Sequence, residues 1–322
     1  EYVSSNYTHA GRDILDAGLN VIAQMIAPGL DPDTDGHPRN YSLSCNPDLS
    51  LDLADSLRER GRDFVLLGEV NAALPFLGRD AVVSPDWFDG IYDAGAYTLF
   101  PTPAEKVRLA DHAVGLQASA LIRDGGTLQI GIGALSDALS HALRLRHGRN
   151  QAWNEMRAAL DADGDPLTEE LGGTGPFQRG LYGCSEMITE GLLSLYDCGA
   201  LTREVFDDAQ VQARALEDPD SAPETGGIVL HGGFYLGPAS LYQRLRDMAP
   251  SLRDRIDMTA ISKINRLYGD ERLKRLQRRD ARFVNSAMMV NGRGAAISDT
   301  LSDGRVVSGI GGQYNFAAMA QE

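Results

Sequence analysis

Short apolar runs of strand length alternate along this chain with helix-length segments whose apolar residues recur every three to four positions. That alternation reads as an α/β fold. Asp63–Val70 (DFVLLGEV) is the clearest run, nearly continuous in apolar residues, as a buried parallel strand would be. Thr127–Ile130 is another, and it leads at once into Gly131-Ile132-Gly133 and a helix over 135–146. Tyr41–Cys45, Leu181–Tyr182 and the segments 226–231, 256–261, 282–290 and 294–298 read as further strands. Residues 11–27 read as a helix with Ile14, Ala17, Val21 and Met25 on one face. A strong helix is expected from Thr102 as N-cap, with Pro103 at its first position and Glu105 closing a capping box. Its apolar face would be Val107, Ala110, Val114, Ala118 and Leu121, and Gly125-Gly126 would stop it. A turn at Gly183–Glu186 would start a further helix at Met187–Cys198.

The segment 75–104 holds Pro75, Pro85, Pro101 and Pro103 with little periodicity, so it reads as a connection and sets a boundary near residue 100. Two units follow, 1–100 and 101–322, which suits a length of 322 residues. Residues 147–180 are polar and rich in Gly and Asp, an insertion with one short helix; residues 207–225 read as an acidic connection. With 43% hydrophobic and 23% charged residues the chain can bury a large core, which excludes whole-chain disorder.

The net charge of −15 argues against nonspecific binding to nucleic acid or to an anionic membrane, but permits a small anionic ligand held by local basic groups. The three cysteines, Cys45, Cys184 and Cys198, form no CxxC, so neither a disulfide framework nor a zinc knuckle is expected and no metal site is predicted. A reducing cytoplasm is the expected compartment. No apolar run approaches the ~18 residues of a membrane span, and no signal peptide is visible. The sequence begins at Glu1 without a Met and ends just after a Gly-rich segment; both ends are expected to be cut relative to the gene product.

Four segments have the composition of chemistry. Gln129-Ile130-Gly131-Ile132-Gly133-Ala134 runs a strand through two glycines into a helix, which offers backbone N–H groups to an anion. A dinucleotide fingerprint would need a third glycine where Ser136 stands, and a tight packing turn is the structural alternative. Ser308-Gly309-Ile310-Gly311-Gly312-Gln313 lets backbone approach a ligand closely, or forms a hairpin tip. Gly183-Cys184-Ser185-Glu186-Met187 holds three potential nucleophiles. Ser185 nearly matches a nucleophile elbow, Cys184 needs a histidine, and Glu186 needs no base because a carboxylate is ordinarily ionised at pH 7. The structural alternatives are a buried apolar Cys184, an N-cap at Ser185 and first-turn helix charge at Glu186. Residues 272–282 hold six basic side chains, either a phosphate cluster or a solvated helix face.

Taken jointly and in order, GTLQIGIGALSDAL (126–139), GLYGCSEMITEGLLSLYDCGALT (180–202) and RFVNSAMMVNGRGAAISDTLSDGRVVSGIGGQYNF (282–316) resemble the acetyl-CoA hydrolase/transferase family of class I CoA-transferases. The likeness extends upstream through YSLSCNPDLSLDL (41–53) and FVLLGEVNAALPFL (64–77) and skips the polar insertion. Cys184 stands where many members have His, and Glu190 where Asp is common. The family continues well beyond its GxGGQxxF segment, whereas this sequence stops at Glu322.

The resemblance implies two related CoA-transferase-like α/β domains, both incomplete here, with an acyl-CoA site between them. It implies Glu186 as the catalytic glutamate. Gly309, Ile310, Gly311, Gly312 and Gln313 match the Gly-rich loop of the oxyanion hole and acyl-CoA contact, and Gln129, Gly131 and Gly133 the opposite loop. It implies no tightly bound cofactor: coenzyme A arrives as acyl-CoA, the second substrate is a small carboxylate, and a homodimer is expected. The reaction implied is CoA transfer through a glutamyl-CoA thioester, or hydrolysis if water intercepts an intermediate. Three alternatives stand beside it: a Ser185 or Cys184 thioesterase, a nicotinamide dinucleotide enzyme built on the Gly131 turn, and a relative that binds CoA without turnover.

Overall fold

The computed structural model describes residues 5–93, 95–102, 106–160, 165–218, 221–223, 225–266 and 268–319. Two five-stranded sheets organise the chain. In the first, β1 (Val21–Pro28), β3 (Val65–Val70) and β5 (Gly90–Asp93) run parallel, and β2 (Tyr41–Ser42) and β4 (Val82–Val83) add antiparallel, in the order β4-β2-β1-β3-β5. In the second, β6 (Thr127–Ile130), β7 (Tyr182–Ile188), β8 (Leu230–Tyr235), β9 (Ile256–Met258) and β10 (Arg282–Val284) are all parallel, in the order β10-β6-β7-β8-β9. A small hairpin, β11 (Met289–Val290) with β12 (Ala296–Ile297), follows.

The helices are α1 (Tyr7–Asp16), α2 (Pro47–Glu59), α3 (Leu109–Ala120), α4 (Ala134–Gly148), α5 (Asn150–Ala158), α6 (Pro166–Leu171), α7 (Glu190–Asp197), α8 (Ala209–Glu217), α9 (Ala239–Asp247), α10 (Pro250–Arg253), α11 (Ile261–Asn265), α12 (Glu271–Gln277) and α13 (Gln313–Met319). Their arrangement with parallel strands is the α/β class expected from the sequence. The largest buried cluster runs from Ile26, Leu43 and Leu66 of the first sheet to Leu128, Ile188 and Leu230 of the second. Ser44 ties the two together through its hydroxyl, 2.6 Å from both the Pro75 carbonyl and the Tyr235 hydroxyl.

Several local expectations are corrected. Residues 11–27 are not one helix. Gly18, at φ 75°, lies just past the end of α1, and Val21 onward pairs with β3 from Val21↔Val65 to Ile26↔Val70, so sheet pairing overrides the helical spacing. The connection 75–104 contains β4 and β5. The helix expected from Thr102 starts at Leu109, where Asp111 closes back on the Arg108 N–H; Pro103 and Glu105 lie outside the described residues. Its buried face is Asp111, Gly115, Leu116, Ser119 and Ala120, whereas Val114 is 51% exposed. Gly115 sets that rotation: a β-carbon there would approach the Ala138 carbonyl carbon to 2.7 Å, so the glycine face meets α4. The 147–180 segment carries two helices, α5 and α6, and the 207–225 segment carries α8. The turn expected at Gly183–Glu186 is strand: β7 pairs with β8 from Gly183↔Leu230 to Ile188↔Tyr235, and the next helix starts at Glu190 with Thr189 as its cap.

Candidate active site

Strand alternation sorts the three potential nucleophiles. Tyr182, Cys184 and Glu186 point to one face of β7, Gly183 and Ser185 to the other. Ser185 is fully buried, and its hydroxyl donates to the Ile130 carbonyl at 3.0 Å. It is therefore not the helix N-cap that was its structural alternative. Cys184 is 3% exposed among Tyr182, Ile264 and Phe316, the apolar role foreseen as its structural alternative. Its neighbour in register is His231, whose imidazole is already engaged: Nδ1 lies 2.8 Å from the Tyr182 hydroxyl and Nε2 3.2 Å from Asp257. Glu186 is half-buried near the C-terminal end of β7, the sheet edge where ligands bind in parallel α/β folds.

Four elements converge on the Glu186 carboxylate. The Asn265 side-chain amide, at the end of α11, donates to Oε1. The Gly312 N–H, just before α13, donates as well. Gly312 must be glycine here, because a β-carbon would overlap the carboxylate. Gly233 on β8 leaves space where a β-carbon would come within 3.4 Å of the Asp48 Cβ and 3.1 Å of the Glu186 carbonyl oxygen. Into that space α2 delivers Asp48, 6% exposed, which accepts a hydrogen bond from the Tyr7 hydroxyl. Tyr7 in turn donates its backbone N–H to the Gly311 carbonyl at 3.1 Å and packs edge-on against Phe234.

Electrostatics follow from that burial. Desolvation pushes the Glu186 carboxyl up to about 7; the Asn265 and Gly312 bonds pull it down, and the Asp48 charge adds to the rise. The carboxyl is thus held well above the ordinary carboxylate range that the sequence reading assumed. Burial also raises Asp48, against the bond from Tyr7, and raises the Tyr7 hydroxyl, with the Asp48 charge adding to it.

The helix that supplies Asn265 is itself fixed at two points. Asp52 of α2 accepts from the Ser262 N–H at 3.0 Å and its hydroxyl at 2.6 Å. Lys263 meets Asp80 at 3.1 Å, Asp257 at 3.3 Å and Asp207 at 3.4 Å. Burial alone would raise the 2%-exposed Asp257; His231, Lys263 and the Asp80 N–H together hold it below the usual carboxylate range.

The other residues singled out from the sequence fall into two groups. Gly311 and Gly312 come to Glu186, and Ile310 and Gln313 are half-buried beside them, whereas Gly309 is exposed with open space around it. Gln129, 2% exposed on β6, exchanges two amide hydrogen bonds of 3.2 Å with Asn285. The Gly131 N–H is not the free donor expected; it binds the Val284 carbonyl at 3.2 Å. Gly133, at φ 97°, caps α4 and accepts from Ser136 and Asp137. The six basic residues of 272–282 spread over α12, the turn after it and β10, and Arg282 donates to the Leu121 carbonyl at 3.1 Å. Sequence reading missed Tyr7, Asp48, Asn265 and Gly233. Asp48 lay inside the segment 41–53 that carries the resemblance; the other three had no local signal. Among the described residues no cluster of His, Cys, Asp and Glu could hold a metal ion, and no helix is long and apolar enough to cross a membrane.

Comparison with known proteins bears on the family and the fold. Residues 237–322 match the acetyl-CoA hydrolase/transferase C-terminal domain. The 4-hydroxybutyrate coenzyme A transferase of Clostridium kluyveri is 23% identical over 279 residues, covering 87% of this chain and 50% of that protein. RipA from Yersinia pestis superposes with a TM-score of 0.66 at 19% identity, covering 100% of this chain and 56% of that one. A 4-hydroxybutyrate CoA-transferase from Porphyromonas gingivalis superposes with a TM-score of 0.51 at 17% identity, over 81% of this chain and 50% of that one. The chain spans about half the length of these relatives. The family match covers residues 237–322, and the whole chain is similar in fold to these CoA-transferase-like proteins.

Proposed function

We propose that this chain carries the nucleophile of a CoA-transferase, Glu186, which moves CoA between an acyl-CoA and a small carboxylic acid through a glutamyl-CoA thioester. The observation that carries this reading is a half-buried carboxylate at the C-terminal edge of a parallel sheet, gripped by the Asn265 amide and the Gly312 N–H. Desolvation raises its basicity to about 7, which makes the ionised form a stronger nucleophile than an ordinary carboxylate. An acyl-CoA site between the two units 1–100 and 101–322, no tightly bound cofactor and a cytoplasmic location complete the proposal.

A Glu186 oxygen attacks the thioester carbonyl carbon. The tetrahedral oxyanion collapses, the C–S bond breaks, and CoA leaves as thiolate beside an acyl-glutamyl anhydride. The thiolate then attacks the glutamyl carbonyl and expels the first carboxylate, leaving glutamyl-CoA. An incoming carboxylate runs the sequence backward. Backbone N–H groups of the 309–312 loop other than the Gly312 N–H that holds Glu186 are the oxyanion donors in this scheme; losing one such donor typically costs ~10²–10³ in rate. Water in place of the second carboxylate gives acyl-CoA hydrolysis on the same residue.

Intact mass spectrometry after incubation with acyl-CoA, followed by peptide mapping, tests the assignment. The expected result is an adduct on the Glu186 peptide, reducible by borohydride, and absent from Glu186→Gln. An adduct on Ser185 or Cys184, or full turnover by Glu186→Ala, overturns it.

A further inference from the structure

A cavity opens at the edge of the second sheet opposite Glu186, where the strands begin. Its volume is about 610 Å³, within the roughly 300–1,000 Å³ of small-molecule sites. Five arginines reach it from five different connections. Arg123 precedes β6, Arg179 precedes β7, Arg203 follows α7, Arg255 precedes β9 and Arg279 precedes β10. Along β7 the cavity lies roughly 20 Å from Glu186, at about 3.3 Å per residue.

The carboxylates present do not balance these cations. Arg123 and Arg279 share one partner, Asp280, at 3.3 Å each, and Arg255 pairs with Glu204 at 3.0 Å. Asp124 is held by the backbone N–H groups of Arg179 and Gly180 at 3.0 and 3.1 Å. Glu217, which also lines the cavity, is the remaining carboxylate. Arg179 and Arg203 form no ion pair among the described residues.

Buried donors there also lack partners. Gln212 lines the cavity, is fully buried, and its Nε2 has no hydrogen-bond partner; its Oε1 is taken by the Phe206 N–H at 2.8 Å. The Nε and Nη1 of Arg203 and the Nε of Arg255 are also buried without partners. Arg203 Nη2 is anchored to the Thr127 hydroxyl at 2.7 Å and the Gln277 carbonyl at 2.8 Å, so its guanidinium is held in place. Burial pulls that guanidinium down to about 10, a penalty that a bound anion would offset. Phe206, Ala215 and Leu216 give the cavity an apolar wall.

From five arginines lining a partly apolar cavity with unpartnered buried donors, we infer that this cavity is a binding site for a small organic polyanion, distinct from the carboxylate site. Planar guanidinium forks suit both phosphate and carboxylate oxygens. The site is independent of the reaction assigned to Glu186.

Isothermal titration of the chain with inorganic pyrophosphate and, separately, with citrate tests this and separates the two anion sources. Each titration is run on the wild type, Glu186→Gln, Arg179→Ala and Arg203→Lys. Arg179 is exposed, so its removal leaves the fold intact, and Arg203→Lys keeps a charge where full removal would free the strand edge. Saturable binding of at least one anion, kept in Glu186→Gln and weakened about tenfold or more in Arg179→Ala, is the expected result. Arg203→Lys should weaken it too, since a point charge cannot replace the fork. Tighter pyrophosphate marks a phosphate site and tighter citrate a polycarboxylate site. No saturable binding of either anion overturns the inference. So does binding that survives both arginine changes, or binding that is lost in Glu186→Gln.

Discussion

Gly312 lies against Glu186 so closely that a single added methyl would overlap the carboxylate Oε1. The contact joins the segment just before the last described helix to the middle of the second sheet, and it makes the Gly-rich loop part of the carboxylate's support. Gly312→Ala should therefore displace the carboxylate or the loop. Its Asn265 bond and Gly312 bond would be lost together, and turnover should fall by ~10²-fold or more. Steady-state kinetics with a circular-dichroism control check this; near-wild-type kcat would reject it.

The raised Glu186 carboxyl has a stability consequence. Its folded value, about 7, lies above the ordinary 4.5. The folded state holds the proton more tightly, so the contribution is fully present below pH 4.5 and is lost as pH rises through about 7. Glu186→Gln removes that loss and should stabilise the protein by on the order of 3 kcal/mol at pH 8, and far less at pH 5. Thermal or urea unfolding at the two pH values checks the difference. For turnover, the acid limb of the rate profile should fall near pH 7.

Asp48 is the second carboxylate of the site, and its negative charge raises Glu186. Asp48→Asn keeps an acceptor for the Tyr7 hydroxyl but removes the charge. The acid limb should move to lower pH, with the fold unchanged. A profile of kcat/KM against pH measures the shift; a limb that stays or moves upward contradicts the arrangement.

Ser185→Ala and Cys184→Ala should both keep turnover within a few-fold of wild type. Ser185 is a buried donor to Ile130, so its loss should cost about 1 kcal/mol of stability and no chemistry. Loss of activity in either stable variant would return the nucleophile to that residue.

The alternation of apolar runs and amphipathic segments was enough to give the α/β class, because periods of 2 and 3.6 are properties of the chain itself. The strand at Thr127–Ile130 and the helix after Gly133 were legible for the same reason. Where local spacing and tertiary pairing disagreed, pairing decided. Val21–Pro28 has helical spacing but gains six paired positions with β3, and Gly183–Glu186 looks like a turn but lies between β6 and β8. The candidate site divides along the same line. Glu186, Gly311 and Gly312 were nameable from the sequence because the segments that hold them carry a joint family pattern. Tyr7, Asp48 and Asn265 were not, because they come from three helices up to 258 residues apart in the chain. Only folding brings a tyrosine at position 7, an aspartate at 48 and an asparagine at 265 onto one carboxylate. Desolvation of that carboxylate depends on what surrounds it in space, and that is a quantity no stretch of sequence contains.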